Sequence, residues 1–131
     1  MPRISGGHHV GFTVRDADAS AQWYSELLGM QEVLRGDNET VRFRVLAHSE
    51  SGWVLGVRQY PEHANGRFDE FRTGLDHFAF GVASRDELEG WEQRLSDAGI
   101  PFTPIADTPI GSVIVFRDPD NIQLEFFLPA G

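Results

Sequence analysis

The sequence contains no cysteine. Disulfides and thiolate chemistry are therefore excluded, and any bound metal must take nitrogen and oxygen ligands. No apolar run is long enough to span a bilayer. The segment Met1-Pro2-Arg3-Ile4-Ser5-Gly6-Gly7 lacks the apolar stretch of a secretory leader, so the expected location is cytoplasmic. Basic residues are scarce, 11 against 20 acidic ones, giving a net charge of −9 with no basic cluster. That balance argues against nucleic-acid and anionic-membrane partners.

What is present fits an ordinary globular chain. Its 131 residues, 40% hydrophobic and 24% charged, suit one domain over residues 1–131 with a sizeable core. Within it one pattern occurs twice. His9-Val10-Gly11-Phe12-Thr13-Val14 returns 68 residues later as His77-Phe78-Ala79-Phe80-Gly81-Val82. The same offset relates Asp18 to Asp86, Trp23 to Trp91 and Leu27 to Leu95. Agreement at one offset indicates a duplicated module. A pseudo-twofold relation would put His9 and His77 in equivalent places, and paired histidines there are natural metal ligands.

Alternation marks Val10, Phe12 and Val14 as one strand face. Asp16 to Leu28 reads as a helix with Ala17, Ala21, Tyr24 and Leu28 on one stripe and Gly29 as its stop. Strands are expected near Glu32–Arg35, Val41–Ala47 and Trp53–Gln59, with turns at Asp37-Asn38 and Ser49–Gly52. The second module repeats the order. Its first strand is expected at Leu75–Val82, and Ser84 with Glu87 forms a capping box. The helix stripe is Leu88, Trp91, Leu95 and Ala98, ended by Gly99 and Pro101. Strands follow near Phe102–Ala106, Val113–Arg117 and Gln123–Leu128, the last two joined by a turn at Asp118-Pro119-Asp120-Asn121. The fold class is thus α+β: two βαβββ modules, about 7–60 and 75–129, forming curved half-barrel sheets with helices outside. A polar connector, about 61–74, joins them. With Tyr60 at its start and Phe68 and Phe71 within it, it either packs over something or is an ordinary surface crossing.

The strand period puts His9, Gly11 and Thr13 on one face, and His77, Ala79 and Gly81 on another. Bulky residues occupy the opposite faces, so space is left in front of each histidine. On the last strand Leu124, Phe126 and Leu128 face the helix, which turns Gln123 and Glu125 to the histidine side. An inward carboxylate needs a partner. A divalent cation held by His9, His77 and Glu125 would supply one; structural histidines are the competing reading. Pattern matching sets Gly56 opposite Glu125, leaving a fourth ligand place empty. Arg58 shares the face of Gly56 and is a candidate for an anion contact. Arg42 and Arg44 could meet an anionic substrate or lie in solvent. His8 is expected to be structural, His48 and His63 solvated, and Trp23 and Trp91 packing residues.

These residues resemble the vicinal oxygen chelate superfamily, the glyoxalase, bleomycin-resistance and extradiol dioxygenase group. The likeness rests on His9-Val-Gly-Phe-Thr-Val, Trp23-Tyr24-Ser25-Glu26-Leu27-Leu28-Gly29, Asp76-His77-Phe78-Ala79-Phe80 and Asp118-Pro119-Asp120-Asn121-Ile122-Gln123-Leu124-Glu125. It implies metal ligation by His9, His77 and Glu125, and a homodimer. Departures matter too. Glyoxalase I enzymes carry a fourth ligand where Gly56 stands. Methylmalonyl-CoA epimerases use a glutamine near there, and Gln59 is out of register by three. Fosfomycin-modifying transferases have a threonine at the place of Gly11. Extradiol dioxygenases share the ligand triad and add acid–base groups in a longer chain.

The expected function is metal-dependent catalysis on a small molecule that chelates the metal through adjacent oxygens, with isomerase- or lyase-like chemistry. The metal would be iron, manganese, nickel or zinc, and Glu125 would serve as both ligand and base. Cavity candidates are Gly11, Thr13, Gly56, Arg58, Ala79, Gly81 and Gln123. The alternatives are an Fe(II) extradiol-type dioxygenase and a non-catalytic binder of small molecules or antibiotics.

Overall fold

Apolar alternation and capping chemistry decide most elements of the computed structural model, which describes residues 1–62 and 66–131. His63 lies outside the described residues. The chain divides into two units, 1–66 and 67–131.

In the first unit, β1 (His9–Thr13) leads to α1 (Ala17–Leu28), followed by β2 (Gln31–Asp37), β3 (Arg42–Ala47) and β4 (Val54–Gln59). The sheet order is β1-β4-β3-β2, with β1 parallel to β4 and the other pairs antiparallel. Asp16 caps α1 by accepting the Ala19 N–H at 3.1 Å. The Gln59 side chain accepts the Ala17 N–H at 2.9 Å, tying the helix start to the end of β4. Gly29 ends the helix in the left-handed region, at φ 69°. Ala17, Ala21, Tyr24, Leu27 and Leu28 are buried with Phe12, Leu46, Leu55 and Val57. The even positions of β3 face this core.

That placement corrects both expectations for Arg44. Its side chain is 2% exposed, neither solvated nor on the open face. Instead it is paired with Asp18 at 2.8 Å and Asp37 at 3.1 Å. Arg42 is exposed and also pairs with Asp37. The helix contributes Asp18, a carboxylate that neutralises a guanidinium which burial would otherwise penalise.

The second unit contains β5 (Phe78–Gly81), α2 (Arg85–Asp97), β6 (Ala106–Thr108), β7 (Gly111–Arg117) and β8 (Gln123–Pro129). Its order, β5-β8-β7-β6, repeats that of the first unit, again with the first and last strands parallel. Ser84 accepts the Glu87 N–H, and the Glu87 carboxylate accepts from Ala83 N–H, one residue before the usual reciprocal bond. Leu88 and Leu95 are buried with Ile114, Phe116, Leu124 and Phe126. Trp91 stacks on Phe126, centroids 4.3 Å apart, as a packing residue.

Three expected boundaries shift. The strand expected at Leu75–Val82 forms only over Phe78–Gly81, because its partner β8 starts at Gln123 and offers no ladder to Leu75 or Asp76. The strand expected at Phe102–Ala106 appears instead at Ala106–Thr108. Pro101 and Pro104 lack N–H groups for a ladder, Phe102 makes one isolated bridge to Phe116, and Ile105 N–H turns to the Glu92 carboxylate. Ala98 is exposed as the C-cap of α2 rather than part of its buried stripe.

The Asp118–Asn121 turn forms as its composition predicts. Asp118 Oδ1 accepts the N–H groups of Asp120 and Ile122, both at 2.8 Å, and Asn121 takes φ 68°. The end of the connector is fastened to this turn: Phe68 N–H donates to Asp120 O, and Asn121 Nδ2 donates to Phe68 O. Phe71, by contrast, is 92% exposed. No helix of the described residues is long and apolar enough to cross a membrane.

Candidate functional site

Strand register fixes which side chains share a face. In the first unit Gly11 pairs with Gly56 and Thr13 with Arg58. His9, Gly11 and Thr13 are exposed, while Val10 is half-buried and Phe12 buried. A Cβ added at Gly11 would meet nothing within 4 Å. The face in front of His9 is therefore open within its unit. Arg58 lies on this face with its guanidinium 5.1 Å from the Phe43 ring centroid and donates to the Tyr60 hydroxyl at 3.2 Å. His9 meets His8, Nδ1 to Nδ1 at 2.8 Å. His8 is itself exposed, not the structural residue expected, because it precedes β1 and has no core to face. His48 is half-buried and organises its turn through Ser51.

In the second unit Ala79 pairs with Glu125. Gly56 and Glu125 thus occupy corresponding positions, each opposite the residue two places after its unit's histidine. Gly81 has open space where a Cβ would stand. His77 immediately precedes β5, with its side chain 42% exposed, and its Nε2 lies 3.5 Å from Glu125 Oε1. Glu125 is 17% exposed. On the other side of the ring, Nδ1 lies 2.7 Å from Asp76 Oδ1.

Asp76 is itself held. The Gln123 amide donates to its carbonyl at 3.0 Å and to Oδ1 at 3.2 Å. Gln123 Oε1 accepts from Arg117 at 3.1 Å, and Arg117 also pairs with Glu70. The hydrogen bond from Arg117 holds the Glu70 carboxyl below its ordinary range. Gln123, a cavity candidate on sequence grounds, thus uses both ends of its amide within this network. Sequence reading missed the parts played by Asp76, Arg117 and Glu70. The signal available was local: an acidic residue beside His77, and a glutamine two residues before Glu125.

The structure brings His77 and Glu125 together within the second unit; His9 belongs to the first. Among the described residues, no group of three or more His, Asp or Glu is clustered closely enough to hold a metal. The pair itself fits a divalent ion. Two donors that each bond at about 2.1 Å can lie up to roughly 4.2 Å apart, and 3.5 Å falls inside that limit. One imidazole nitrogen and one carboxylate oxygen suit iron, manganese, nickel or zinc. The carboxylate behind His77 is the usual outer partner of a ligating imidazole.

Comparison with known proteins agrees with this architecture. Residues 6–126 match the model of the Glyoxalase/Bleomycin resistance protein/Dioxygenase superfamily. The chain is similar to a crystal structure of a glyoxylase/bleomycin resistance protein/dioxygenase domain from Frankia sp. EAN1pec. Identity is 41%, coverage 98% of this chain and 100% of that one, and TM-score 0.90. It shares its fold with the fosfomycin resistance protein FosX of Listeria monocytogenes, complexed with Mn(II) and sulfate. There identity is 18%, TM-score 0.73, and coverage 98% and 95%. Among curated proteins it is 26% identical over 117 residues to the proposed ring-cleaving dioxygenase MhqA of Bacillus subtilis (strain 168). That match covers 88% of this chain and 37% of the relative, so the chain spans little more than a third of it.

Proposed function

The chain belongs to the glyoxalase/bleomycin resistance protein/dioxygenase superfamily, and from that premise we propose that it is a metal-dependent enzyme acting on a small, oxygen-chelating molecule. The observation that carries the reading is the aim of His77 Nε2 toward Glu125, with Nδ1 engaged by Asp76. His77 and Glu125 would hold a divalent ion, with His9 as the third ligand on sequence grounds. When bound, such an ion supplies Lewis acidity to adjacent substrate oxygens. The chain's own residues do the rest. Gly11, Gly81 and Ala79 leave room in front of the strands. Glu125, only partly exposed, is the group placed to take or return a proton. Arg58, resting on Phe43, offers a cation to an anionic substituent. A homodimer accompanies this reading, since each sheet ends in two edge strands that a second chain can cover.

The likeness to MhqA favours one further reading, an Fe(II)-dependent ring cleavage. The distinguishing experiment loads the protein separately with Fe(II), Mn(II), Ni(II) and Zn(II). Each form is offered hemithioacetals, hydroxyketones and catechols while oxygen is monitored. Metal-dependent turnover of a hydroxyketone without oxygen uptake is the expected result. Hemithioacetal turnover should be weak, because Gly56 supplies no second carboxylate, and loss of a positioned base costs roughly 100- to 10,000-fold. Oxygen uptake with a catechol and Fe(II) alone would replace the proposal with the dioxygenase. Tight binding without turnover under any metal would replace it with a sequestering protein.

A further inference from the structure

Five side chains in the second unit form an unbroken hydrogen-bonded series: Glu70, Arg117, Gln123, Asp76 and His77. Its direction is fixed by chemistry. Arginine carries only donors, so the atom of Gln123 facing Arg117 must be the amide oxygen. The amide nitrogen is thereby turned toward Asp76, where it donates to both the backbone carbonyl and Oδ1. A carboxylate only accepts, so the nitrogen of His77 that faces Asp76 must be the donor. In the neutral ring that leaves Nε2 with its lone pair, because Glu125 on that side stands 3.5 Å away, beyond ordinary hydrogen-bond length, while Asp76 is at 2.7 Å.

We infer that Asp76 is a positioning residue which, oriented by Gln123 and Arg117, holds His77 in the Nδ1–H tautomer so that Nε2 is ready to ligate. The Asp76 side chain is 68% exposed, and without restraint a carboxylate that open to water would sample several rotamers. Gln123 restrains it through two bonds, one to the backbone and one to the carboxylate. Arg117 prevents Gln123 from flipping, and Glu70 anchors Arg117. The tautomer is thus set before any ion arrives. Glu125 then faces a lone pair rather than a second N–H. The competing possibility is a doubly protonated ring bridging two carboxylates.

The inference rests on the metal reading for its purpose, and its test does not. Long-range proton–nitrogen correlation spectra of the metal-free protein report which ring nitrogen bears the proton. The pH should be about 8.5, well above the ordinary imidazole range. The wild type should show His77 protonated on Nδ1 alone. Asp76→Ala, an exposed change, should lose that preference. Asp76→Asn, which keeps an accepting oxygen, should retain most of it. Mn(II) binding by calorimetry should weaken about 10- to 100-fold in Asp76→Ala and less in Asp76→Asn. A doubly protonated wild-type ring, an Nε2–H wild-type ring, or a tautomer unchanged in Asp76→Ala would overturn the inference. A tautomer that shifts as described in a protein that binds no ion would uphold the positioning and overturn the metal reading.

Discussion

Gly56 and Gly111 both sit in strands, yet their substitution should have opposite consequences. A Cβ at Gly56 would meet nothing closer than the Arg44 and Val10 carbonyl oxygens, at 3.9 and 4.0 Å, which is ordinary contact. Gly56→Ala should therefore fold and gain up to about 1 kcal/mol, by restricting the unfolded chain. Gly111 has φ 152°, and a Cβ there would collide with the Leu128 carbonyl. Gly111→Ala should lose more than about 1 kcal/mol. Urea unfolding of the two variants checks the pair, and destabilisation by Gly56→Ala would contradict an open face at this position. The correspondence of Gly56 with Glu125 was legible in the sequence, because strand alternation needs only residue identity, even though it departs by one residue from the 68-residue repeat offset. The clamp on His77 was not, since it depends on Gln123, itself held by Arg117, reaching Asp76 from a strand distant in sequence.

At the scale of elements, the helices were the most legible parts. Asp16 and Ser84 announce their starts, Gly29 and Gly99 mark where they stop, and each apolar stripe keeps its period over about three turns. The short strands β5 and β6 were misjudged because their limits are set by partners: β8 begins late, and two prolines interrupt the segment before β6. Arg44 shows the same dependence. A buried arginine on an alternating strand is visible only once α1 brings Asp18 over it. Hydrogen bonding to Arg44 holds the Asp37 carboxyl below its ordinary range. A carboxyl lowered on folding stabilises fully above its unfolded value, near 4, and that contribution disappears as pH falls through the lowered value. Arg44→Ala should cost about 1–3 kcal/mol at pH 7, chiefly through lost packing, because the Asp18 and Asp37 carboxylates left behind are half exposed to water. The gap between wild type and variant should narrow below about pH 4 as Asp37 protonates in both. Denaturant titrations at pH 7 and pH 3 measure it. A gap independent of pH would assign the cost to packing alone.

The whole molecule repeats one plan, with an asymmetry at one strand position. Both units pair their first strand with their last in parallel, and both place small residues beyond a histidine. Only the second carries a carboxylate there. The proposed function requires that His9, His77 and Glu125 bind one divalent ion per chain. Native mass spectrometry after loading with Mn(II) and desalting measures the ion count and the assembly mass together. The predicted wild-type result is a dimer carrying two ions, with the ions lost in His9→Ala, His77→Ala and Glu125→Ala while the dimer persists. Two ions retained in any of those variants, or none in the loaded wild type, would contradict it.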